Sequence, residues 1–375
     1  MAMRAHSLVF QFGTVTITRI DETEFELPLQ VLLPAWGDLD GLAPGRGIAP
    51  ADPDLARPRV TLRTHLWVVQ TQRLVIVVDT GIGNGKSRPF NTLFDRLDHP
   101  VLERFAAAGF RRERVDYVML THLHVDHVGW CTHWDSKRWT PVFPNATHVF
   151  SHGERAYFAT PGGAPRRMVF EDSVRPLIQA GLVRELEDVE TEVLDGVRFL
   201  PTPGHSIGHM AIEIRSRGAT ALFSGDVMHS PLQVRYPAIS SVFCMDPVQA
   251  RASRQWLLER AARTGAVVFP AHFPQTCAGV VVRGAEGLQW RYLPDPRERG
   301  DTTAPGARGR NGNRSIEGYY VNHSFALFVV KDCLWFLPWI DGVLVFQTSA
   351  LSDASYNLGA QAGDRRRELR SSSGP

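Results

Sequence analysis

The sequence predicts a protein of the α/β class, and three observations predict it. Short apolar runs of strand type, at residues 115–120, 198–201, 220–223 and 266–269, recur along the chain, and each ends at a turn bearing His or Asp. Residues 246–263 read as the best helix in the chain, opened by an Asp-Pro pair. The 375 residues are 43% apolar and include 32 Gly and 25 Pro, which suits a large core with many turns in one domain, or one and a fraction.

Taken in order, the first twelve residues lack the long apolar stretch and cleavage site of a secretory signal and read as the lead-in to a first strand. Residues 13–20 alternate Val, Ile and Ile with Thr, the period of a half-buried strand. Residues 27–58 are rich in Pro, Gly and Asp without periodicity, which points to a functional or disordered loop. A hairpin follows, 61–69 with 74–78, and its second strand delivers Asp79-Thr80-Gly81. Val101, Leu102, Phe105, Ala106 and Ala108 lie at helical spacing in 99–110. Further short strands fall at 146–150, 198–201, 210–214 and 220–223. In the helix 246–263, Val248, Ala252, Trp256, Leu257 and Ala261 share the face expected to be buried.

Charge and cysteine content narrow the function. With 41 basic and 39 acidic residues the formal net charge is +2, which gives no general field for gathering nucleic acid or an acidic membrane, so a small substrate fits better. Cys131, Cys244, Cys277 and Cys333 are scattered and form no CxxC pair, so neither a disulfide framework nor a thiolate zinc site is indicated and a cytoplasmic location is expected. There is no GxSxG nucleophile turn and no GxxxxGK[ST] phosphate loop.

The chemistry concentrates at the strand ends. Thr121-His122-Leu123-His124-Val125-Asp126-His127 holds four metal-ligand side chains within six residues, directly after an apolar strand. Thr202-Pro203-Gly204-His205, Ser224-Gly225-Asp226 and Pro270-Ala271-His272 each end another strand, so seven ligands can converge from four loops. His6, His65, His133, His148, His152 and His323 have no such context and are read as ordinary polar residues, and His209 as a packing or supporting one. Ligation by imidazole and carboxylate without Cys suits zinc, with iron, cobalt or manganese as alternatives.

The set His122-x-His124-x-Asp126-His127, then His205, Asp226 and His272, with Asp79-Thr80-Gly81 upstream, resembles the metallo-β-lactamase superfamily over roughly residues 8–295. The resemblance implies an αββα sandwich, two mixed β-sheets face to face with helices outside, and two divalent metal ions at one edge. It places His122, His124 and His205 on one ion, Asp126, His127 and His272 on the other, and Asp226 between them. Residues 225–229, 271–274 and 290–292 are most similar to the branch holding acyl-homoserine-lactone lactonases and methyl parathion hydrolase. The implied reaction is attack by a metal-bridging hydroxide on the carbonyl of a lactone or ester with an apolar part. Asp126 and Asp226 carry the metals, and His229, where related lactonases often have Tyr, would donate to the oxyanion or protonate the leaving alkoxide.

Alternatives on the same fold are a phosphotriester hydrolase and a mononuclear iron dioxygenase of persulfide-type substrates. Asp79 is expected to hold a ligand imidazole. Trp36, Trp67, Phe90, Phe94, Trp130, Trp134 and Phe273 are candidate pocket walls, core packing serving some of them equally well. Residues 1–295 are read as the hydrolase domain. Residues 296–375 form an extension of unknown role, whose apolar stretch 319–346 is interrupted by Lys331, Asp332, Pro338 and Asp341 and is therefore a poor membrane span. The oligomeric state is open, a homodimer included.

Overall fold

Alternating and fully apolar strands sort the chain into two seven-stranded sheets. The computed structural model describes residues 7–38, 59–285 and 287–297, and, as strands without side chains, 317–322, 325–330, 333–340 and 343–344. The first sheet has the order β1 (Ser7–Phe12), β2 (Val15–Pro28), β3 (Arg59–Gln70), β4 (Val75–Val78), β5 (Tyr117–Met119), β8 (Thr147–Ser151), β9 (Val183–Leu186). A small hairpin, β6 (Thr132–Trp134) with β7 (Trp139–Pro141), lies outside it. The second sheet has the order β10 (Thr191–Leu194), β11 (Val197–Pro201), β12 (Met210–Ser216), β13 (Ala219–Gly225), β14 (Val267–Pro270), β15 (Gly279–Gly284), β16 (Gly287–Tyr292).

Both sheets are mixed, as expected. β4, β5, β8 and β9 run parallel in one, β13 and β14 in the other, and the remaining pairs are antiparallel. Period-two alternation decides which side chain enters which layer. Ile76, Val78 and Met119 point between the sheets, with Phe10, Trp67, Phe199, Ile212, Phe223 and Phe269. Val77 and Val118 point outward beneath the helix Val101–Ala107 and beneath Leu177, joining Phe105, Phe143 and Phe150. The run Val75–Val78 is therefore buried on both faces apart from its half-exposed first residue, which is why it is continuously apolar rather than alternating. Trp67 meets Phe269 edge-on at 5.1 Å, and Phe269 stacks on Phe223 at 5.1 Å, closing the middle of the sandwich.

The helix Pro247–Thr264 covers the outer face of the second sheet. Asp246 Oδ1 accepts from Val248 N and Gln249 N at its start, and Gly265 ends it at φ 65°. The αββα layering expected from the resemblance is thus present. The buried helix face differs from the expected one: it carries Ala250, Arg254, Leu257, Leu258 and Ala261, while Val248 is 79% exposed and Trp256 42% exposed. The cause is Arg254. Its guanidinium donates to the carbonyls of Val227, Pro237 and Ile239 at 3.0, 3.0 and 2.7 Å, so a charged residue occupies a position that an apolar count gives to the surface.

Three other expectations shift. Residues 7–12 are a strand in their own right, paired antiparallel with β2 around Gly13 and Thr14. Of the presumed loop 27–58, Leu29–Leu32 is a helical turn and Pro34–Asp38 a 3₁₀ turn, while 39–58 lie outside the described residues. Trp67, Trp130 and Phe273 are buried framework, Trp130 donating through Nε1 to Glu22 and Phe273 packing on Trp290, so these three do not line a pocket. Within the extension, 317–344 contributes a separate four-stranded sheet, β17 (Glu317–Asn322), β18 (Phe325–Val330), β19 (Cys333–Ile340) and β20 (Val343–Leu344); 298–316 and 345–375 lie outside the described residues. Among the described residues no helix is long and apolar enough to cross a membrane.

Candidate metal centre

Where parallel strands end, their turns open at one edge, and the crevice outside the carboxyl ends is where side chains from different loops can meet. β4 ends at Asp79, β5 at the loop 121–127, β13 at Asp226 and β14 at His272, with β11 leading to His205. All seven expected ligand residues reach this edge. His122, His127, His205, Asp226 and His272 are buried, whereas His124 and Asp126 are half-buried.

Asp226 lies at the centre. Its Oδ1 is 3.2 Å from His127 Nε2 and 3.0 Å from His272 Nε2, while its Oδ2 is 3.2 Å from His205 Nε2 and 3.9 Å from His122 Nε2. One carboxylate thus divides its two oxygens between two sets of imidazoles. On one side His205 Nε2 approaches His124 Nδ1 to 2.8 Å, and His122, His124 and His205 bring one ligand atom each within 4.8 Å of one another. On the other side Asp126, His127 and His272 do the same, Asp126 lying 3.6 Å from His272 and 3.9 Å from His127.

The outer nitrogens explain the orientation of the inner ones. Asp79 Oδ2 takes the Nδ1 proton of His127 at 2.9 Å and the Thr121 hydroxyl proton at 2.9 Å, and Asp79 Oδ1 takes the Thr121 amide at 2.8 Å. Because the Thr121 hydroxyl is committed to Asp79, it accepts from His122 Nδ1 at 3.0 Å. His272 Nδ1 donates to the Arg63 carbonyl at 2.8 Å. In all three rings Nδ1 is engaged as a donor away from Asp226, which leaves Nε2 as the nitrogen that faces Asp226 and would meet a cation there. Asp79 fills the expected supporting role at φ 51°, left-handed backbone that Asp tolerates better than most residues.

Asp226 is itself fixed through its backbone. Its amide donates to His209 Nε2 at 3.0 Å, and His209 Nδ1 donates to the Thr202 hydroxyl at 2.9 Å. The close packing requires Gly225, at φ 48°, because a Cβ there would stand 2.6 Å from His209 Nε2 and 2.7 Å from Thr121 Oγ1.

Electrostatics follow the same division. Burial raises the Asp226 carboxyl, but His272, His127, His205 and His229 outweigh it and hold it well below the usual range. Burial, then the neighbouring imidazoles, keeps His122 well below its ordinary value; His205 is likewise lowered by burial despite Asp226. Burial also opposes the charge on His127 and His272, yet Asp226, with Asp79 or Asp126, raises both. Two carboxylate-rich corners draw positive charge while the deepest imidazoles stay neutral. His122 Nε2, His127 Nε2 and Asp226 Oδ1 are buried without a hydrogen bond, a costly state that divalent cations would relieve, so the donor set fits such ions.

His229 lies within the cluster rather than beside it. Its Nε2 is 3.2 Å from Asp226 Oδ2, its ring lies nearly parallel to His272 at 5.7 Å, and with His205 and Asp226 it satisfies ligand distances too. The half-exposed ring of Phe243 lies against it, tilted, at 5.7 Å. Two neighbours of the cluster escaped the sequence reading: Phe243, beside His229, and Glu154, which accepts from Leu123 N. Phe243 sits in an irregular stretch without periodicity. Glu154 belongs to a Ser151-x-x-Glu154 pattern, which signals a helix start and nothing more. His148 is buried and His152 pairs with Glu185 at the surface; His65 is buried near His272 and His127, whose charges help to lower it after burial and Arg19, but it belongs to none of the ligand groups; His6 and His323 lie outside the described residues.

Comparison with known proteins agrees with this geometry. The chain is 30% identical over 184 residues to N-acyl homoserine lactonase AttM of Rhizobium johnstonii, covering 47% of this chain and 65% of that one. It is 26% identical over 172 residues to the N-acyl homoserine lactonase of Bacillus cereus, covering 42% and 60%. It therefore spans less than two thirds of the length of either relative. Among solved structures, the hydrolase AbOPH of the beta lactamase superfamily superposes with a TM-score of 0.62 at 21% identity, over 77% of this chain and 98% of that one. AidC, a dizinc quorum-quenching lactonase, gives 0.61 at 21% identity, over 77% and 97%. At these identities the likeness is one of fold. The metallo-beta-lactamase superfamily profile matches residues 60–272. Because that match runs through more than half of the chain and ends on His272, the last of the converging histidines, the chain belongs to the metallo-β-lactamase superfamily.

Proposed function

We propose that this chain is a dinuclear metal-dependent hydrolase that cleaves the acyl C–O bond of a lactone or ester in a small, partly apolar molecule, water adding to the carbonyl carbon and the alkoxide leaving. The observation that carries the reading is the division of Asp226, with Oδ1 facing His127 and His272 and Oδ2 facing His205 and His122. In this reading His122, His124 and His205 would hold one ion, Asp126, His127 and His272 would hold the other, and Asp226 would serve both. The imidazole and carboxylate set favours zinc. Two such cations supply Lewis acidity, polarising a carbonyl and acidifying water.

The protein's own groups do the rest. Asp79, Thr121 and the Arg63 carbonyl keep three imidazoles aimed before any ligand arrives, so little reorganisation is needed. His229 Nε2, beside Asp226, is placed to donate to the oxygen that gains charge or to protonate the departing alkoxide. Phe243 offers an apolar wall next to it. The N-acyl homoserine lactonases to which the chain is similar support a lactone as substrate. Two complete ligand sets favour a pair of ions over a single iron. Residues 1–295 as hydrolase domain, 296–375 as an extension, and a cytoplasmic location belong to the same proposal.

The test is metal analysis joined to a substrate panel of homoserine lactones, aryl esters, thioesters, phosphotriesters and β-lactams. Two ions per chain and ring opening of lactones, followed by proton release and abolished reversibly by chelation, are expected. His122→Ala, Asp126→Ala or His272→Ala should each remove activity. Full turnover by metal-free protein would defeat the reading, and a preference for phosphotriesters would move it to the alternative substrate class.

A further inference from the structure

Glu154 is 3% exposed, carries a carboxylate, and has no place in the ligand set. Buried carboxylates need partners, and its partners are two backbone amides from distant loops. Oε2 accepts from Leu123 N at 3.0 Å, and Oε1 accepts from Gly208 N at 2.8 Å. Leu123 is the residue between His122 and His124, and Gly208 lies three residues after His205. One side chain therefore ties together the two loops that supply His122, His124 and His205; the Leu123 contact flanks His122 and His124 directly and lies four residues before His127, the Gly208 contact is confined to the loop of His205, and neither is on the loop of His272.

The surroundings make the tie rigid. Ser151 Oγ accepts from Glu154 N at 3.2 Å, which fixes the start of the short helix His152–Tyr157, and also bonds Asp188. The loop 203–209 docks onto this start so closely that a Cβ on Gly208 would fall on Ser151 Oγ and reach 3.0 Å from Glu154 N. In a Ser-x-x-Glu helix start the Glu side chain ordinarily turns back to its own helix; here it leaves it and crosses to the two loops.

We propose that Glu154 is a positioning residue for one of the two ions: it sets the spacing between the His122/His124 loop and the His205 loop, and so governs the affinity of that ion selectively. Two charge-assisted bonds to amides hold the Leu123 peptide, and with it the directions in which the flanking imidazoles leave the chain. The inference rests on the dinuclear reading above.

The experiment measures binding of zinc to the full chain by competition with a chromophoric chelator, alongside the melting temperature of the apoprotein. E154Q keeps the side-chain volume but turns an NH2 toward one of the two amides. It should weaken one ion by about ten- to a hundred-fold and leave the other within about two-fold. H205A and H272A, each removing a ligand from one set, identify which ion is affected, and E154Q should match H205A. G208A, which pushes the His205 loop off the Ser151–Glu154 helix start without altering the carboxylate, should reproduce the selectivity. L177A, a core truncation under the outer face of the first sheet, controls for lowered stability and should weaken neither ion preferentially. Two ions in the wild type with unchanged or equally weakened binding in E154Q overturns the inference alone. Fewer than two ions in the wild type overturns the dinuclear reading and this inference with it.

Discussion

At the scale of single residues, His229 and His148 show how burial and partners separate chemistry from framework. His229 shares Asp226 Oδ2 with His205, so it is either a donor to substrate or an added ligand, and one substitution separates these. His229→Ala is expected to lower kcat by about a hundred-fold, in the range of a lost general acid or oxyanion donor, with two ions still bound. If the ion count falls instead, measured on the same sample, the ring serves as a ligand. Phe243→Ala should raise KM for long-chain substrates more than it lowers kcat, since the ring touches His229 and nothing that holds metal; equal KM for short and long chains would remove Phe243 from the pocket. His148 has no such neighbours. Burial pulls it down to about 4 from an ordinary 6.5, so between those values the unfolded chain binds a proton that the folded chain refuses. Its contribution is fully present above pH 6.5 and is lost as pH falls toward 4, by up to about 3 kcal/mol. His148→Leu should therefore flatten the fall in melting temperature between pH 7 and 5, and superimposable profiles would show that the ring does not titrate there.

At the scale of elements, the helix Pro247–Thr264 is the one most instructive about what the sequence makes legible. Its bounds were readable, because Asp246-Pro247 and Gly265 are local signals acting within one turn. Its buried face was not, because Arg254 is satisfied by three carbonyls on residues 227–239 that no local pattern reveals. The convergence of the seven candidate ligands was legible for the opposite reason: each ends a strand, and the residue types are few. Glu154 was not, since its partners are backbone amides 31 and 54 positions away, and an amide has no residue type. Trp67 and Phe273 misled because aromatic rings serve cores and pockets alike. Arg254 also gives the element a consequence for the site, as the Val227 carbonyl it holds follows directly on Asp226. Arg254→Ala is expected to cost about 3 kcal/mol or more by leaving buried carbonyls unpaired, and to weaken metal binding as well. Urea denaturation of metal-free protein isolates the first effect; a loss under about 1 kcal/mol would mean that water replaces the guanidinium.

At the scale of the whole molecule, the centre joins the two halves of the sandwich. His122, His124, Asp126 and His127 follow β5 of the first sheet, while His205, Asp226 and His272 follow β11, β13 and β14 of the second. Ions bound between them would add a crosslink to sheets already joined along this edge by hydrogen bonds such as His272 Nδ1 to the Arg63 carbonyl and Gly208 N to Glu154 Oε1, and would satisfy His122 Nε2, His127 Nε2 and Asp226 Oδ1. The unfolded chain brings none of these ligands together except those in 121–127, so it binds cations far more weakly than the folded one. Linkage then requires that stability rise with the logarithm of free metal, by about 4 kcal/mol at a thousand times the dissociation constant. Chelation should lower the melting temperature in step with activity, and zinc should restore both. Asp226→Asn, which keeps the shape but removes the charge shared by the two sets, should abolish most of this metal-dependent gain while altering the apoprotein much less. A melting temperature insensitive to zinc in the wild type would mean that the two sheets do not share a metal centre, whatever the geometry of the histidines.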